Sequence, residues 1–322
     1  MKRIHQALLG RLSKAEAVLI GTHKNPDGDA IGSALALARF LDSLGKPCDV
    51  VCHNQPPTNL RFLPGIERVR SHPEHQGHDL GVVVDLESVE RLGDAAPHFA
   101  GCRQIVVIDH HVPHEEPGDL RLVDPSAPAT AVLMTRFLLD VRARIDADTA
   151  QCLLTGIVTD TGGFRFRNTT PEALHLAAKL LELGGDIAAI NSHVFESKPV
   201  SFVRLLGIML AKMQLEMDDR LCYAVLEHKD FELTDSTDEA TEGFVNHLLS
   251  IETVQIAALL REHTPGRWRI SLRSKEGYDV AAVARALGGG GHRNAAGCSV
   301  EGTEEEALAR LRPELQKCLE SC

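Results

Sequence analysis

The chain has 322 residues, 43% of them hydrophobic and 25% charged, and its 34 Lys plus Arg against 45 Asp plus Glu give a formal net charge of -11. These proportions exclude a disordered or fibrous chain, and the length favours two domains. The acidic balance excludes a long, sequence-independent nucleic-acid track, which needs a net basic surface, while leaving room for a local pocket that takes a short phosphate ligand with the help of metal cations.

The opening segment MKRIHQALLGRLSKAEAVLIG starts basic, but Arg11 and Lys14 interrupt its apolar stretch and no clean small-residue cleavage site follows. A surface helix is expected there rather than a signal peptide. No later window reaches the roughly 20 uninterrupted apolar residues of a membrane span. The eight cysteines (48, 52, 102, 152, 222, 298, 318 and 322) form no C-x-x-C pair and read as reduced thiols of a cytoplasmic protein. Cys318 and Cys322, one helical turn apart, read as incidental.

The first half alternates short β-rich runs with helical patterns: AVLI, then AIGSALALARFLDSLG, CDVVC, LGVVVDL and RQIVVIDHH. Apolar runs of this length, separated by helices, predict a mostly parallel sheet built from βαβ units. Helical patterns dominate from about Ala129 to Gln214, among them TAVLMTRFLLD, TAQCLLTGIVTD and PEALHLAAKLLELGG, and end in the long pattern SFVRLLGIMLAKMQLE. Beyond it, the strand patterns LCYAVLEH, VQIAALLRE and RWRISLRS predict a smaller α+β unit. The expected organisation is an α/β parallel-sheet domain over 1–190, a helical connector over 191–215 and an α+β domain over 216–322.

Metal-type ligands collect where the predicted elements end. GTHKNPDGDAIGS carries His23, Asp27 and Asp29 just after AVLI; Asp85 ends GVVVD; Asp109, His110 and His111 end QIVVIDHH; Asp160 lies in TGIVTDTGGF, where TDTGG breaks a helical pattern. A lone Asp after a strand is most often a turn residue or helix cap. Four such clusters, three of them at ends of parallel strands, instead point into the crevice where open α/β sheets bind ligands. Gly28 is expected to give the first loop its freedom to turn, and the helix after it to aim its N-terminus at the crevice, which favours anions.

The combination H-x-N-P-D-G-D-A-I-G-S, V-V-V-D, V-I-D-H-H and T-D-T-G-G, followed by GGGGHRNAAG at 288–297, resembles the DHH phosphoesterase superfamily with its DHH-associated C-terminal domain. Within it, the chain is most similar to the bacterial nanoRNase and 3′-phosphoadenosine 5′-phosphate phosphatase branch. Six groups are then available for metal: His23, Asp27, Asp29, Asp85, His110 and Asp160. Carboxylates with a minority of imidazoles and no thiolate suit Mn²⁺, or Mg²⁺, and six groups exceed what one ion takes, so two divalent ions are expected. The resemblance implies that His23, Asp27 and Asp85 serve one ion, that Asp29, Asp85, His110 and Asp160 serve the other, and that Asp85 bridges. It also implies that Asp109 orients a neighbouring ligand and that His111 touches the phosphate.

In the second domain the glycine run can form an anion nest from its backbone N–H groups. With the family in view, Gly289, Gly290, Gly291, His292 and Arg273 are expected to bind substrate, and Arg165 of GGFRF to contact its backbone. Phe164 and Phe166 could form a base platform, but two Phe at i, i+2 are more often core. SHPEHQGH, with His72, His75 and His78, reads as a solvated loop, and Trp268 as too isolated to mark a nucleic-acid surface.

The function expected is hydrolysis of very short RNA to 5′-nucleoside monophosphates, together with removal of the 3′-phosphate of 3′-phosphoadenosine 5′-phosphate. The alternatives are a linear or cyclic dinucleotide phosphodiesterase and, from another class, a metal-dependent nucleotide sensor without turnover. The partners are a short RNA or small nucleotide, with no membrane and no long nucleic acid; the family suggests a homodimer.

Overall fold

A computed structural model describes residues 2–86, 89–112 and 118–321; Cys322 lies outside them. The chain divides into two compact units, residues 1–197 and 198–322.

The first unit opens with α1 (Lys2–Lys14), β1 (Val18–Gly21), α2 (Gly28–Ser43), β2 (Cys48–Val51) and β3 (Val69–Arg70). It continues with β4 (Leu80–Val84), β5 (Gln104–Asp109) and β6 (Leu120–Val123), then α3 (Thr130–Asp140), α4 (Ala147–Asp160), α5 (Pro171–Glu182) and α6 (Ile187–Ile190). The six strands form one parallel sheet in the order β3-β2-β1-β4-β5-β6. β1 and β4 are buried along their whole lengths, as a sheet covered on both faces requires. Because the chain runs outward from β1 through β2 to β3 and then returns to β4, the order reverses between β1 and β4. That reversal opens a crevice at the carboxyl ends of these two strands.

α1 is not a purely surface helix. His5, Leu8 and Leu12, at helical spacing, are buried, and His5 Nδ1 meets Asp140 Oδ2 at 2.7 Å with its ring edge-on to Phe137 in α3. α2 and α4 approach closely because small residues face each other. A β-carbon on Gly32 would stand 2.3 Å from the Cys152 carbonyl oxygen, and one on Gly28 2.5 Å from the Thr159 side chain. Gly28 has no positive φ, so it is there for space beside α4 and not, as expected, for freedom in the turn.

The second unit comprises α7 (Val200–Ala211), β7 (Gln214–Glu216), β8 (Leu221–Leu226), α8 (His228–Thr234), α9 (Phe244–Leu249), β9 (Ile256–Thr264) and β10 (Arg267–Ser274). α10 (Val280–Ala286), β11 (Gly290–His292), β12 (Ala295–Glu301) and α11 (Glu304–Glu320) complete it. Its sheet runs β11-β12-β10-β9-β8-β7, with β8 and β9 parallel and the other pairs antiparallel. Alternate residues of each strand face opposite sides. Tyr223, Ala258 and Ile270 pack with α10 and α11, whereas Cys222, Ala224 and Leu259 pack with Leu205 and Met209 of α7 and Phe244 of α9. The helical pattern 201–216 stops at Ala211, and Gln214–Glu216 pairs with β8 instead.

One loop differs from its sequence reading. Asp49 of β2 is buried, and its Oδ2 accepts from the His75 backbone N–H (3.0 Å) and lies 2.8 Å from His78 Nε2. His75 Nδ1 approaches the same carboxylate at 3.1 Å, and His78 is buried. A buried carboxylate needs partners, and these two histidines supply them, so both fasten the loop to the sheet; His78 is buried, against expectation, while His75 stays solvent-exposed as expected. His72 instead pairs with His98, Nδ1 to Nε2 at 3.2 Å, at the surface.

Candidate active site

Register places the sequence clusters side by side. Gly21, the last residue of β1, is opposite Val83, and Val84 of β4 is opposite Ile108 of β5. His23, Asp85 and the Asp109–His111 triplet therefore leave the same edge of the sheet. Asp85 adopts a left-handed backbone (φ 56°), uncommon for a residue with a side chain but tolerated by Asp.

Asp85 is the centre. It is 2% exposed, with Oδ2 3.4 Å from His23 Nε2 and Oδ1 3.6 Å from His110 Nε2. His111 Nδ1 lies 3.7 Å from the same Oδ1. The ring orientations have identifiable causes. His23 Nδ1 donates to the Lys24 carbonyl (2.9 Å) and His110 Nδ1 to the Ala127 carbonyl (3.1 Å). A neutral imidazole held this way presents Nε2 as its acceptor nitrogen, the arrangement that metal-ligating histidines use.

Asp29 is fully buried beneath this edge. The backbone N–H groups of Thr130 and Ala131, at the start of α3, donate to its two oxygens at 2.6 and 2.8 Å, and a β-carbon on Gly156 would stand 2.6 Å from its Oδ1. Asp160, the last residue of α4, brings Oδ2 to 3.3 Å from His110 Nε2. Asp27 caps α2, its Oδ1 accepting from the N–H groups of Asp29 and Ala30 at 3.0 Å each, and reaches 4.0 Å from His23 Nε2. The cap reading and the ligand reading of Asp27 thus coexist in one side chain.

Within 4.8 Å of one another lie ligand atoms of three triads: His23, Asp27 and Asp85; Asp29, His110 and Asp160; and Asp85, His110 and His111. Asp109 is buried and stands outside them. Its Oδ1 accepts from His111 Nδ1 (2.8 Å) and from the His111 backbone N–H (3.2 Å), which sets that ring's orientation.

The electrostatics suit cation binding. Burial, and then the charge of Asp85, push Asp160 up to about 8 and hold Asp29 well above and Asp27 above the ordinary carboxylate range. Asp85 goes the other way: burial would raise it, but His23, His110 and His111 hold it below the usual value. His23 is raised by Asp85 against the opposing pull of burial. Four acids gathered at one edge, two of them buried, repel one another unless protonated or neutralised by bound cations. The acid-rich donor set with two oriented imidazoles fits hard-to-borderline divalent ions.

The remaining expected residues are outside the three triads. Arg165 Nε donates to the Gly162 carbonyl at 2.7 Å and its guanidinium sits 5.9 Å from the centroid of the Phe195 ring. Phe164 is half-buried against the first unit's core, while Phe166 is exposed. In the second unit, Arg273 is the next-to-last residue of β10, half-buried, with Nη1 donating to the Leu272 carbonyl at 3.0 Å and its pKa lowered by burial. The glycine run lies at the exposed edge of the second sheet. Gly290, Gly291 and His292 pair with β12, and β-carbons on Gly289 and Gly291 would stand 2.2 and 2.6 Å from the carbonyl oxygens of Gly297 and Ala295. Close backbone pairing therefore requires glycine at both positions. Trp268 is buried and its Nε1 donates to the Gly302 carbonyl at 3.1 Å. Sequence reading missed Thr130, whose hydroxyl donates to Asp85 Oδ1 at 2.9 Å; the only signal was its place at the start of a helical pattern.

Among the described residues no helix is long and apolar enough to cross a membrane. Residues 17–157 match the model of the DHH family, N-terminal domain, and residues 218–321 that of the DHHA1 domain. A curated relative from Thermus thermophilus, named bifunctional oligoribonuclease and PAP phosphatase NrnA, is 36% identical over 305 residues, spanning 93% of this chain and 90% of that protein. A relative of the same name from Bacillus subtilis is 26% identical over 302 residues, spanning 92% and 94%. The crystal structure of an exopolyphosphatase-related protein from Bacteroides fragilis superposes with a TM-score of 0.89 at 29% identity, covering 98% of this chain and 96% of that one. With both domain models matched in order and a relative aligned along nearly its whole length, the chain belongs to the DHH family of phosphoesterases.

Proposed function

We propose that this protein is a two-metal phosphoesterase that hydrolyses very short oligoribonucleotides to 5′-nucleoside monophosphates and removes the 3′-phosphate of 3′-phosphoadenosine 5′-phosphate. The observation that carries the reading is the convergence of His23, Asp27, Asp29, Asp85, His110 and Asp160 at one end of the sheet, with His23, Asp29 and Asp85 buried and Asp27 reaching solvent; the names of the Thermus and Bacillus relatives supply the substrate class. His23, Asp27 and Asp85 would hold one ion and Asp29, Asp85, His110 and Asp160 the other, Asp85 serving both. The two imidazoles favour Mn²⁺ over Mg²⁺.

When bound, such ions supply Lewis acidity and positive charge for a phosphate at this edge. The chain's own residues do the rest. The Lys24 and Ala127 carbonyls fix the His23 and His110 rings, and the α3 amides fix Asp29. Asp109 holds His111 through Nδ1, directing the imidazole toward the phosphate oxygens, where charge grows in the transition state. Arg273, His292 and the backbone of Gly289–Gly291 recognise nucleotide phosphate from the second unit, and Arg165 contacts the substrate backbone. Dimerisation, expected from the resemblance, belongs to the same reading and is tested by sedimentation.

The experiment is a parallel turnover measurement on a dinucleotide, a 24-mer, 3′-phosphoadenosine 5′-phosphate and a cyclic dinucleotide, with Mn²⁺ and then with the ion chelated. Fast metal-dependent release of mononucleotide from the dinucleotide and of phosphate from 3′-phosphoadenosine 5′-phosphate is expected. Preference for the cyclic dinucleotide, or binding without turnover, would replace the reading.

A further inference from the structure

The segment after α4 carries a feature that metal chemistry does not use. Gly162, Gly163 and Phe164 are consecutively left-handed (φ 57°, 69° and 65°). Two glycines adopt this freely; Phe164 does so against its preference, so surrounding contacts hold the turn. Those contacts are visible. The Arg165 and Phe166 backbone N–H groups both donate to the Thr161 carbonyl at 3.0 Å, and Asn168 Nδ2 donates to the Asp160 carbonyl at 3.0 Å. Residues 161–168 thus form a closed loop tied at both ends to the residue that supplies a metal-type carboxylate.

The loop presents an aromatic ring to solvent. Phe166 is 55% exposed, and a β-carbon on Gly162 would stand 2.5 Å from its Cζ. The end of the ring is seated on the bare glycine while more than half of the side chain stays uncovered. Phe164, two residues earlier, is half-buried against the core, so the pair divides: one Phe anchors the loop, the other is displayed. Phe166 stands on the loop that leaves Asp160 and is tied back to it through Asn168, and an exposed aromatic on a loop leaving a phosphate site is how proteins hold a nucleobase without reading its edge.

We propose that Phe166 is the platform on which a nucleobase stacks next to the metal edge, and that it sets the preference for nucleotides over other phosphoesters. The inference rests on the nucleotide reading above. Gly162 is part of the device, because any side chain there would displace the ring. The backbone hydrogen bonds to Thr161 set the height of the platform relative to Asp160. Stacking tolerates any base but is strongest for purines, so the site favours adenine without excluding pyrimidines.

The test compares Phe166→Ala and Phe166→Tyr with the unaltered protein on ApA, UpU, 3′-phosphoadenosine 5′-phosphate and base-free ribose 3,5-bisphosphate, with metal content and Tm checked. Phe166→Ala is expected to raise KM for the adenine substrates roughly 5- to 150-fold, the range that removing one base–aromatic stack gives. UpU should suffer less, the base-free bisphosphate should be unaffected, and Phe166→Tyr should restore the adenine substrates. An equal loss on the base-free bisphosphate would mean that the ring merely covers Gly162, and that outcome overturns the platform. Unchanged KM for the adenine substrates overturns it too. If the unaltered protein hydrolyses none of the nucleotides, the proposed function itself fails, and the platform with it.

Discussion

The Thr130 hydroxyl donates to Asp85 Oδ1 at 2.9 Å, while the Thr130 backbone N–H donates to Asp29 at 2.6 Å. One buried residue at the start of α3 therefore aligns the carboxylate of Asp85, just after β4, and that of Asp29 in α2. Thr130→Val removes the donor and leaves a buried acceptor unpaired, and partners of this kind tune metal affinity by about 10- to 100-fold. Thr130→Ser keeps the hydroxyl and should retain most of the affinity. Mn²⁺ titration of the three proteins checks this, and an equal affinity for the Val variant would show that Asp85 needs no such support.

The two adjacent histidines face different partners. His110 meets Asp85 and Asp160 and is oriented by Ala127, whereas His111 is bound to Asp109. His110→Ala should lower metal content, whereas His111→Ala should keep its metal and lose about 10²- to 10³-fold in kcat, the range for one lost transition-state contact. Equal metal loss in both would mean that the pair shares one role.

Arg273 and the metal cluster belong to different units, so their losses should separate. Arg273→Ala should reduce kcat/KM on a dinucleotide by about 10- to 150-fold, as removal of a charge-assisted hydrogen bond predicts. A small activated phosphodiester should be affected far less. The two substrates are compared at saturating Mn²⁺ with metal content measured, and an equal loss on both would remove phosphate recognition from Arg273.

The raised pKa of Asp160 has a consequence for the metal-free protein. Its folded value, about 8, exceeds the ordinary 3.8 because burial and then Asp85 disfavour the charged form. A raised acid binds its proton more tightly when folded, so its contribution to stability is full below the unfolded pKa and is lost as pH rises through the folded one. Metal-free protein should therefore lose stability between about pH 4 and pH 8. Asp160→Asn, which mimics the protonated form, should lose less over that window and gain most on the parent near pH 8. Urea melts of both proteins with chelator present, at pH 5 and pH 8, measure the difference. Parallel losses would show that Asp160 carries no such penalty.

The strands β1, β4 and β5 were legible because a strand buried on both faces must be a continuous apolar run, and AVLI, LGVVV and QIVVID are such runs. The strands β3, β6, β7 and β11 were not: none of them is a buried apolar run, because they lie at the sheet edges and carry polar residues or glycines. Gly290–His292 in particular is a strand only because β12 lies beside it. The fate of SHPEHQGH was equally hidden, since nothing in the loop itself reveals that Asp49, some 26 residues earlier, is buried beneath it and needs donors.

The sequence by itself determined the family, the parallel sheet and the acids and imidazoles at its strand ends, because polarity must return where an apolar strand leaves the core. Tertiary structure alone decided how those groups share the edge. Asp29 is gripped by the first amides of α3 because α2, α3 and α4 meet where Gly156 leaves room. Gly28 serves packing because Thr159 lies against it, and Phe166 is displayed because Gly162, Gly163 and Phe164 all turn left-handed. Each of these depends on neighbours distant in the chain or on a backbone angle, and periodicity records neither.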